Sequence, residues 1–182
     1  MKFQVHLNDN DYFEFNKFHQ LQSHYGASVI KKTRILLTVL FGILILYSFW
    51  SSGFTEDGFL SAGINLALLI LFQVLLKKFF LETIKANIKH LKKQGKLAYS
   101  EYSEIEFLEK SFTETTPTNK TEQSYASLER VSVLDGKYIF LHTNNLMAYI
   151  LPANSFRNQE EYDAFLEFIQ SICPTVDFYK ND

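Results

Sequence analysis

Apolar residues are distributed unevenly along the chain, with two long apolar runs at its centre and shorter periodic patterns on either side. The runs are ILLTVLFGILILYSFW at residues 35–50 and FLSAGINLALLILFQVLL at residues 59–76, and neither contains a charged residue. A helix needs about 20 residues to cross a bilayer, and the first run reaches this length only with its flanks. The pattern predicts two spans, at about 33–52 and 59–78, joined as a helical hairpin.

The charges that flank the two runs predict their orientation. Basic residues lie only on the sides that face away from the connecting segment: Lys31, Lys32, Arg34, Lys77 and Lys78. The connecting segment at 51–58 contains two acidic residues and no basic residue. By the positive-inside rule, both termini are expected in the cytoplasm, with the chain in the cell membrane. The alternative is a soluble protein with two buried core helices, although such helices normally keep a polar face.

Two amide side chains, Asn65 and Gln73, interrupt the second apolar run. They are eight residues apart and therefore fall near the same face of a helix. In hydrocarbon they would need a polar partner on the other helix of the hairpin or in another subunit, which could support a homo-oligomer. The alternative is that Gln73 reaches the membrane interface and that Asn65 is tolerated in the packing.

A helical pattern continues beyond the second run and predicts one helix from about Phe59 to Gln94, ended by Gly95. Apolar residues recur at 80, 84, 88 and 91, and they are accompanied by four lysines: Lys85, Lys89, Lys92 and Lys93. Residues 31–96 are thus predicted to form the transmembrane hairpin with a basic helical extension. The lysines either contact anionic lipid headgroups or belong to a solvated stalk.

Residues 1–30 are predicted to form a strand followed by an amphipathic helix. KFQVHL at 2–7 alternates apolar and polar positions, which is typical of a strand, and we expect it to join the later β domain. Residues 8–11 offer helix N-cap side chains before an apolar stripe that extends from Tyr12 to Tyr25.

Residues 97–182 change to strand periodicity and predict an antiparallel β domain closed by a C-terminal helix. SEIEFLE at 103–109 alternates, and the dipeptide Asp135-Gly136 between two apolar runs indicates a tight hairpin. Asn144-Asn145 offers a further turn, and the last helix is predicted at 159–172, between the N-cap Asn158 and Pro174. The predicted fold class is α+β, and this outline is that of a pleckstrin-homology-like (PH-like) barrel.

Fold-determining aromatic and aliphatic positions are concentrated in a few segments: DYFEFNKFH at 11–19, the basic-flanked hairpin, SYASLERV at 124–131, KYIFLHT at 137–143 and AYILPANSF at 148–156. In these segments the chain resembles the YcxB-like family of bacterial membrane proteins. The resemblance implies two adjacent transmembrane helices, a PH-like domain at 97–182 and a bacterial inner (cytoplasmic) membrane. It implies no established activity and no functional residues.

Charge and motif content narrow the classes of function. Residues 97–182 carry six Lys or Arg against fourteen Asp or Glu, whereas residues 1–96 carry twelve against six. The acidic balance argues against nucleic acid and phosphoinositides as ligands. The chain contains no GxSxG, GxGxxG, P-loop or HExxH sequence, its five histidines are scattered, and its single cysteine cannot form an intrachain disulfide. No cofactor or metal is therefore expected.

The function expected from the sequence is that of a non-enzymatic, membrane-tethered interaction or regulatory module. Its partners would be the lipid bilayer and, through the PH-like domain, a protein or a second copy of the chain. The alternative is a membrane enzyme or a component of an oligomeric small-solute transporter.

Overall fold

The structure is a computed structural model of the chain, and it describes residues 1–97, 99–144, 147–173 and 175–180. The chain divides into two compact units. The β unit comprises Met1–Phe18 and Asn87–Asp182, and the helical unit comprises His19–Ala86. The predicted α+β class, with two long apolar helices and mainly antiparallel sheets, is confirmed.

The helical unit contains α2 (His24–Ser52) and most of α3 (Glu56–Lys93), which include the predicted spans at 33–52 and 59–78. Both helices are long and apolar enough to cross a membrane, and only 11% of the most apolar stretch of each is buried. Large apolar side chains therefore point outward along both helices, with Trp50 89% exposed and Val74 72% exposed. Core helices of a soluble protein would hide most of this surface.

The end of α3 is set by Gly95, as the sequence predicts. Gly95 has a φ of 65°, a conformation that costs glycine little. The amide of Lys96 donates to the carbonyl of Leu91 at 3.0 Å, and the amide of Gly95 donates to the carbonyl of Lys92 at 3.1 Å. These two bonds form a Schellman motif and satisfy the last carbonyls of the helix.

The N-terminal helix differs from the prediction, because it does not continue to Tyr25. Asn8 and Asp11 form a capping box that starts α1 (Asp9–Lys17), and a π-helical turn follows at Phe18–Gln22. Ser23 then acts as a new N-cap, since its hydroxyl accepts from the amide of Gly26 at 3.1 Å. A serine in this position satisfies the first amides of a second helix, so α2 begins here instead of continuing α1.

Two four-stranded sheets form the β unit. Sheet A has the order β1-β2-β3-β4 and is antiparallel throughout: β1 (Lys2–His6), β2 (Tyr102–Phe107), β3 (Ser111–Thr115) and β4 (Lys120–Ser124). The predicted pairing of the N-terminal strand with the later β domain is therefore confirmed. Sheet B has the order β7-β6-β5-β8: β5 (Arg130–Leu134), β6 (Tyr138–His142), β7 (Ala148–Pro152) and β8 (Val176–Tyr179).

The last strand corrects the prediction of a purely antiparallel domain that ends in a helix. β8 pairs in parallel with β5, so that sheet B is mixed. A parallel pair needs a long crossover connection, and α4 (Gln159–Ile172) lies in the chain between β7 and β8. The domain therefore ends in the strand β8 and not, as the sequence had predicted, in α4.

The hairpin and the C-terminal helix agree with their sequence signals. Asp135 and Gly136 both have positive φ values, 53° and 66°, as a type I′ turn requires. Asn158 caps α4 by accepting from the amide of Glu161 at 2.9 Å. Phe165 of α4 is fully buried. Asn145 and Pro174, to which the sequence assigned a turn and a helix end, lie outside the described residues.

Candidate functional site

A cleft of about 730 Å³ opens in the β unit beside β4 and β7. Each of these strands is the last in its sheet, so each has one side without a strand partner in the part of the chain that the structure describes. Side chains from sheet A, from β7 and from α1 line the cleft, among them Glu114, Thr121, Gln123, Ala148, Tyr149, Ile150, Tyr12 and Phe15. Its volume falls within the range of about 300–1,000 Å³ that is usual for ligand pockets.

Glu114 supplies the carboxylate of the cleft. The register of β3 places it opposite Ile105 on one side and Thr121 on the other. Ile105 is only 1% exposed, so Glu114 lies on the core-facing side of sheet A. Burial raises the pKa of Glu114, and a hydrogen bond with Ser103 partly opposes the shift. Among the described residues no Lys or Arg forms an ion pair with this carboxylate.

Tyr149 brings β7 to the same place. Its ring meets Phe112 of β3 edge-on, with ring centroids 4.9 Å apart. The pKa of Tyr149 is raised by burial first and then by the charge of Glu114, while a hydrogen bond from Gln123 opposes the shift. Glu114, Gln123 and Tyr149 thus converge from three strands beside the cleft.

The remaining walls combine hydroxyl groups with apolar surface. Four threonines line the cleft: Thr116, Thr118, Thr121 and Thr143. Leu7, Phe15 and Ile150 add apolar surface, and no Lys or Arg is among the lining residues that the structure describes. Within the described residues no group of three or more His, Cys, Asp or Glu could hold a metal ion. The chemistry of the cleft therefore suits a ligand that offers hydrogen-bonding groups, apolar groups and one positive charge.

The first turn of α1, which leads to the cleft wall formed by Tyr12 and Phe15, is held by two aspartates. Asp9 accepts from Lys92 Nζ at 2.5 Å and from the Tyr99 hydroxyl at 2.7 Å. The hydrogen bond from Lys92 is the largest cause of the lowered pKa of Asp9.

Asp11 accepts from the Tyr138 hydroxyl at 2.9 Å, which ties α1 to β6. Burial first, and then the hydrogen bond to Asp11, raises the pKa of Tyr138 to about 12. With Asp9, these contacts fix the start of α1 against the rest of the β unit.

The basic residues that the sequence assigns to a membrane surface are all exposed: Lys31, Lys32, Arg34, Lys77, Lys78, Lys85, Lys89, Lys92 and Lys93. Two of them have acidic partners. Lys85 lies 3.0 Å from Glu82, one turn away on the same helix, and Lys92 pairs with Asp9. The ion pair of Lys92 therefore gives this lysine a role inside the β unit.

The two amides of the second apolar run contact α2 within the helical unit. Gln73 Nε2 donates to the carbonyl of Arg34 at 3.1 Å and to the Thr38 hydroxyl at 3.2 Å. Asn65 Nδ2 lies 3.4 Å from the Ser48 hydroxyl, which is itself 3.0 Å from the Ser61 hydroxyl. Both amides are thus partnered across the hairpin, and Asn65 also bonds the carbonyl of Ser61 on its own helix.

The cleft residues were not predicted from the sequence, although one local signal was present. In SFTET at 111–115, Glu114 follows Phe112 by two positions and so shares its strand face. Phe112 is fully buried, which places a carboxylate on the inner face. The pattern could not show that Gln123 and Tyr149 would lie beside it, because both are brought there by the sheet topology.

Comparison with known proteins locates a family match inside the β unit. The family model described as YcxB-like protein matches residues 107–169, from the end of β2 to the last turns of α4. Neither the curated proteins nor the solved structures gave a match to the chain. Residues 107–169 are therefore similar to the YcxB-like family, and the family resemblance read from the sequence is confirmed over this part of the chain.

Proposed function

We propose that the chain is a two-pass membrane protein that displays a PH-like interaction module on the cytoplasmic side. The observation that carries the membrane assignment is the exposed apolar surface of α2 and α3. In each helix, only 11% of the most apolar stretch is buried. Soluble monomers rarely expose contiguous apolar patches larger than a few hundred Å². In a bilayer the same surface would face lipid tails.

Two features of the helical unit support this assignment. The amides of Asn65 and Gln73 have partners across the hairpin, as polar groups in hydrocarbon require. The flanking residues Lys31, Lys32, Lys77 and Lys78 are exposed, and the positive-inside rule assigns their ends of the helices to the cytoplasm.

The β unit supports the role of an interaction module. Its two four-stranded sheets and the helix α4 are compatible with the PH-like fold that we propose for it. Fold analogy by itself does not identify a ligand. The open cleft beside β4 and β7 gives this module a surface on which a partner could bind. The net negative charge of residues 97–182 favours a partner with basic groups.

Crosslinking in intact membranes followed by mass spectrometry tests this proposal. One portion of membranes that contain the full chain is crosslinked intact and digested, and a second portion is washed with alkaline carbonate to test whether the protein stays in the membrane. We expect the protein to stay in the membrane fraction, and we expect crosslinks from residues 97–182 to peptides of the same partner protein in replicate preparations. A carbonate-extractable protein would contradict the membrane assignment, and crosslinks confined to the chain itself would contradict a heterologous partner.

A further inference from the structure

The open corner of the β unit has the features of a site for an extended peptide. β4 and β7 both present backbone amide and carbonyl groups on a side that has no strand partner among the described residues. Such edges are templates for pairing with another chain, and peptides that add a strand to a sheet use them. Both edge strands contribute side chains to the cleft: Thr121 and Gln123 from β4, and Tyr149 from β7.

The position of Glu114 favours a ligand that carries a positive charge. Its carboxylate lies on the inner face of sheet A, half-buried, and has no Lys or Arg partner in the described part of the chain. By contrast, Glu104 lies on the outer face of this sheet, where its carboxylate contacts Lys2 at 2.8 Å. A basic group that reaches this half-buried carboxylate of Glu114 can form a charge-assisted hydrogen bond, which is about twice as strong as a neutral one.

We propose that the cleft between β4 and β7 binds an extended peptide segment of another protein, with a lysine or arginine side chain of that segment paired to Glu114. The peptide backbone forms hydrogen bonds with the open edge of β4 or β7. The threonine hydroxyls of the cleft form hydrogen bonds with polar side chains of the peptide, and the surface near Ile150 contacts an apolar side chain. This inference rests on the proposed interaction role and specifies the ligand of the same site.

Selection from a displayed library of random peptides tests the inference. The full chain in phosphatidylcholine nanodiscs is the target, because this zwitterionic lipid does not attract basic peptides, and empty nanodiscs remove lipid binders. Peptides of about ten residues are long enough to cover a strand of average length, about 17–20 Å. We expect the enriched peptides to share one Lys or Arg at a fixed position.

Two matched variants distinguish the cleft from general surface charge. Glu114→Gln should weaken binding of the enriched peptides by about tenfold or more, since a charge-assisted pair is lost. Glu122→Gln should change binding by less than about twofold, because Glu122 is exposed on β4 and faces away from the cleft. A peptide with norleucine in place of the shared basic residue should bind the unmodified chain more weakly. This test changes the peptide and requires no protein variant.

Hydrogen exchange of the complex locates the peptide. Binding should slow exchange of backbone amides in 120–124 or 148–152, the two edge strands. The inference is overturned by any of four results: no enrichment over empty nanodiscs, equal affinity for the Glu114→Gln chain, equal losses for both glutamate variants, or protection confined to other strands. A membrane crosslink to a partner on another face, together with failed selection, would leave the interaction role standing and reject the peptide cleft.

Discussion

The ring of Tyr149 on β7 stands edge-on to the ring of Phe112 on β3, with centroids 4.9 Å apart and an interplanar angle of 88°. This contact joins the two sheets in the corner where β4 and β7 are not paired with each other. Edge-to-face aromatic pairs contribute about 0.5–1.5 kcal/mol beyond the area that they bury. The corner is therefore held by side-chain packing beside an open cleft.

Tyr149→Ala should lower the free energy of unfolding of the β unit by about 2–3 kcal/mol, because the ring contact and part of its buried area are lost. Tyr149→Phe keeps the ring and should cost only about 1 kcal/mol, through the hydrogen bond with Gln123. Urea unfolding of the protein in detergent, followed by tyrosine near-ultraviolet circular dichroism, measures both. Equal effects of the two substitutions would contradict a structural role for the ring.

Glu114→Gln should stabilise the β unit at neutral pH. Burial raises the pKa of Glu114 above its usual 4.5, so the native state holds this proton more tightly than the unfolded state. The contribution of protonated Glu114 to the free energy of unfolding is fully present below pH 4.5. It is lost as the pH rises through the pKa that Glu114 has in the folded state. Glutamine does not titrate, so its advantage in urea midpoint should be largest at about pH 7 and smallest at about pH 4.

The control for this prediction is Glu122→Gln, which removes an exposed carboxylate from the outer face of the same hairpin. A Glu114→Gln chain that is less stable than the unmodified protein at about pH 7, or an advantage that does not vary with pH, would show that the carboxylate is well compensated in the fold. The same variant is expected to lose peptide binding, so stability and binding should change in opposite directions.

Tyr138→Phe should destabilise the β unit by about 1–2 kcal/mol, because the Tyr138 hydroxyl donates to the buried carboxylate of Asp11. The pKa of Tyr138 is raised from 10.0 to about 12. The contribution of the phenol proton to the stability of the β unit is therefore fully present below pH 10 and is lost as the pH rises through about 12. In the Tyr138→Phe protein, a titration followed by tyrosinate absorbance should show one phenol fewer near pH 12. Tyr102→Phe, at a ring position that is 59% exposed, should leave stability unchanged.

Phe165→Ala should cost about 3–5 kcal/mol of unfolding free energy, since this ring is fully buried between α4 and sheet A. It contacts the rings of Phe3 and Phe107 with centroids 5.1 Å and 4.9 Å away. Phe178→Ala removes a ring that is 63% exposed on β8 and should cost less than about 1 kcal/mol. Similar urea midpoints for the two variants would contradict the assignment of Phe165 to the core.

Local signals predicted much of the fold. The charge-free runs predicted α2 and α3, Gly95 predicted the end of α3, and Asp135-Gly136 predicted the β5–β6 hairpin, because each of these features depends on neighbouring residues. The parallel pairing of β8 was missed because it depends on a strand more than forty positions away. Ser23 was missed as a helix start because the apolar stripe continues across it.

The candidate site was less predictable than the fold. Lys92 was grouped with the membrane-surface lysines, and its partner Asp9 lies 83 positions earlier in the chain. Glu114 could be placed on an inner strand face from Phe112, but its approach to Gln123 and Tyr149 depends on how the two sheets meet. Sequence periodicity specifies the face of a strand, whereas a cleft depends on tertiary packing.

The two-pass topology proposed for α2 and α3 can be measured by cysteine labelling in intact cells. In a Cys173→Ala background, which removes the native buried cysteine, Thr55→Cys marks the segment between α2 and α3, and Ala164→Cys marks the exposed face of α4. A membrane-impermeant maleimide should label Thr55→Cys in intact cells and Ala164→Cys only after permeabilisation. Labelling of Ala164→Cys in intact cells, or of neither position before permeabilisation, would contradict a hairpin that crosses the bilayer and keeps the β unit in the cytoplasm.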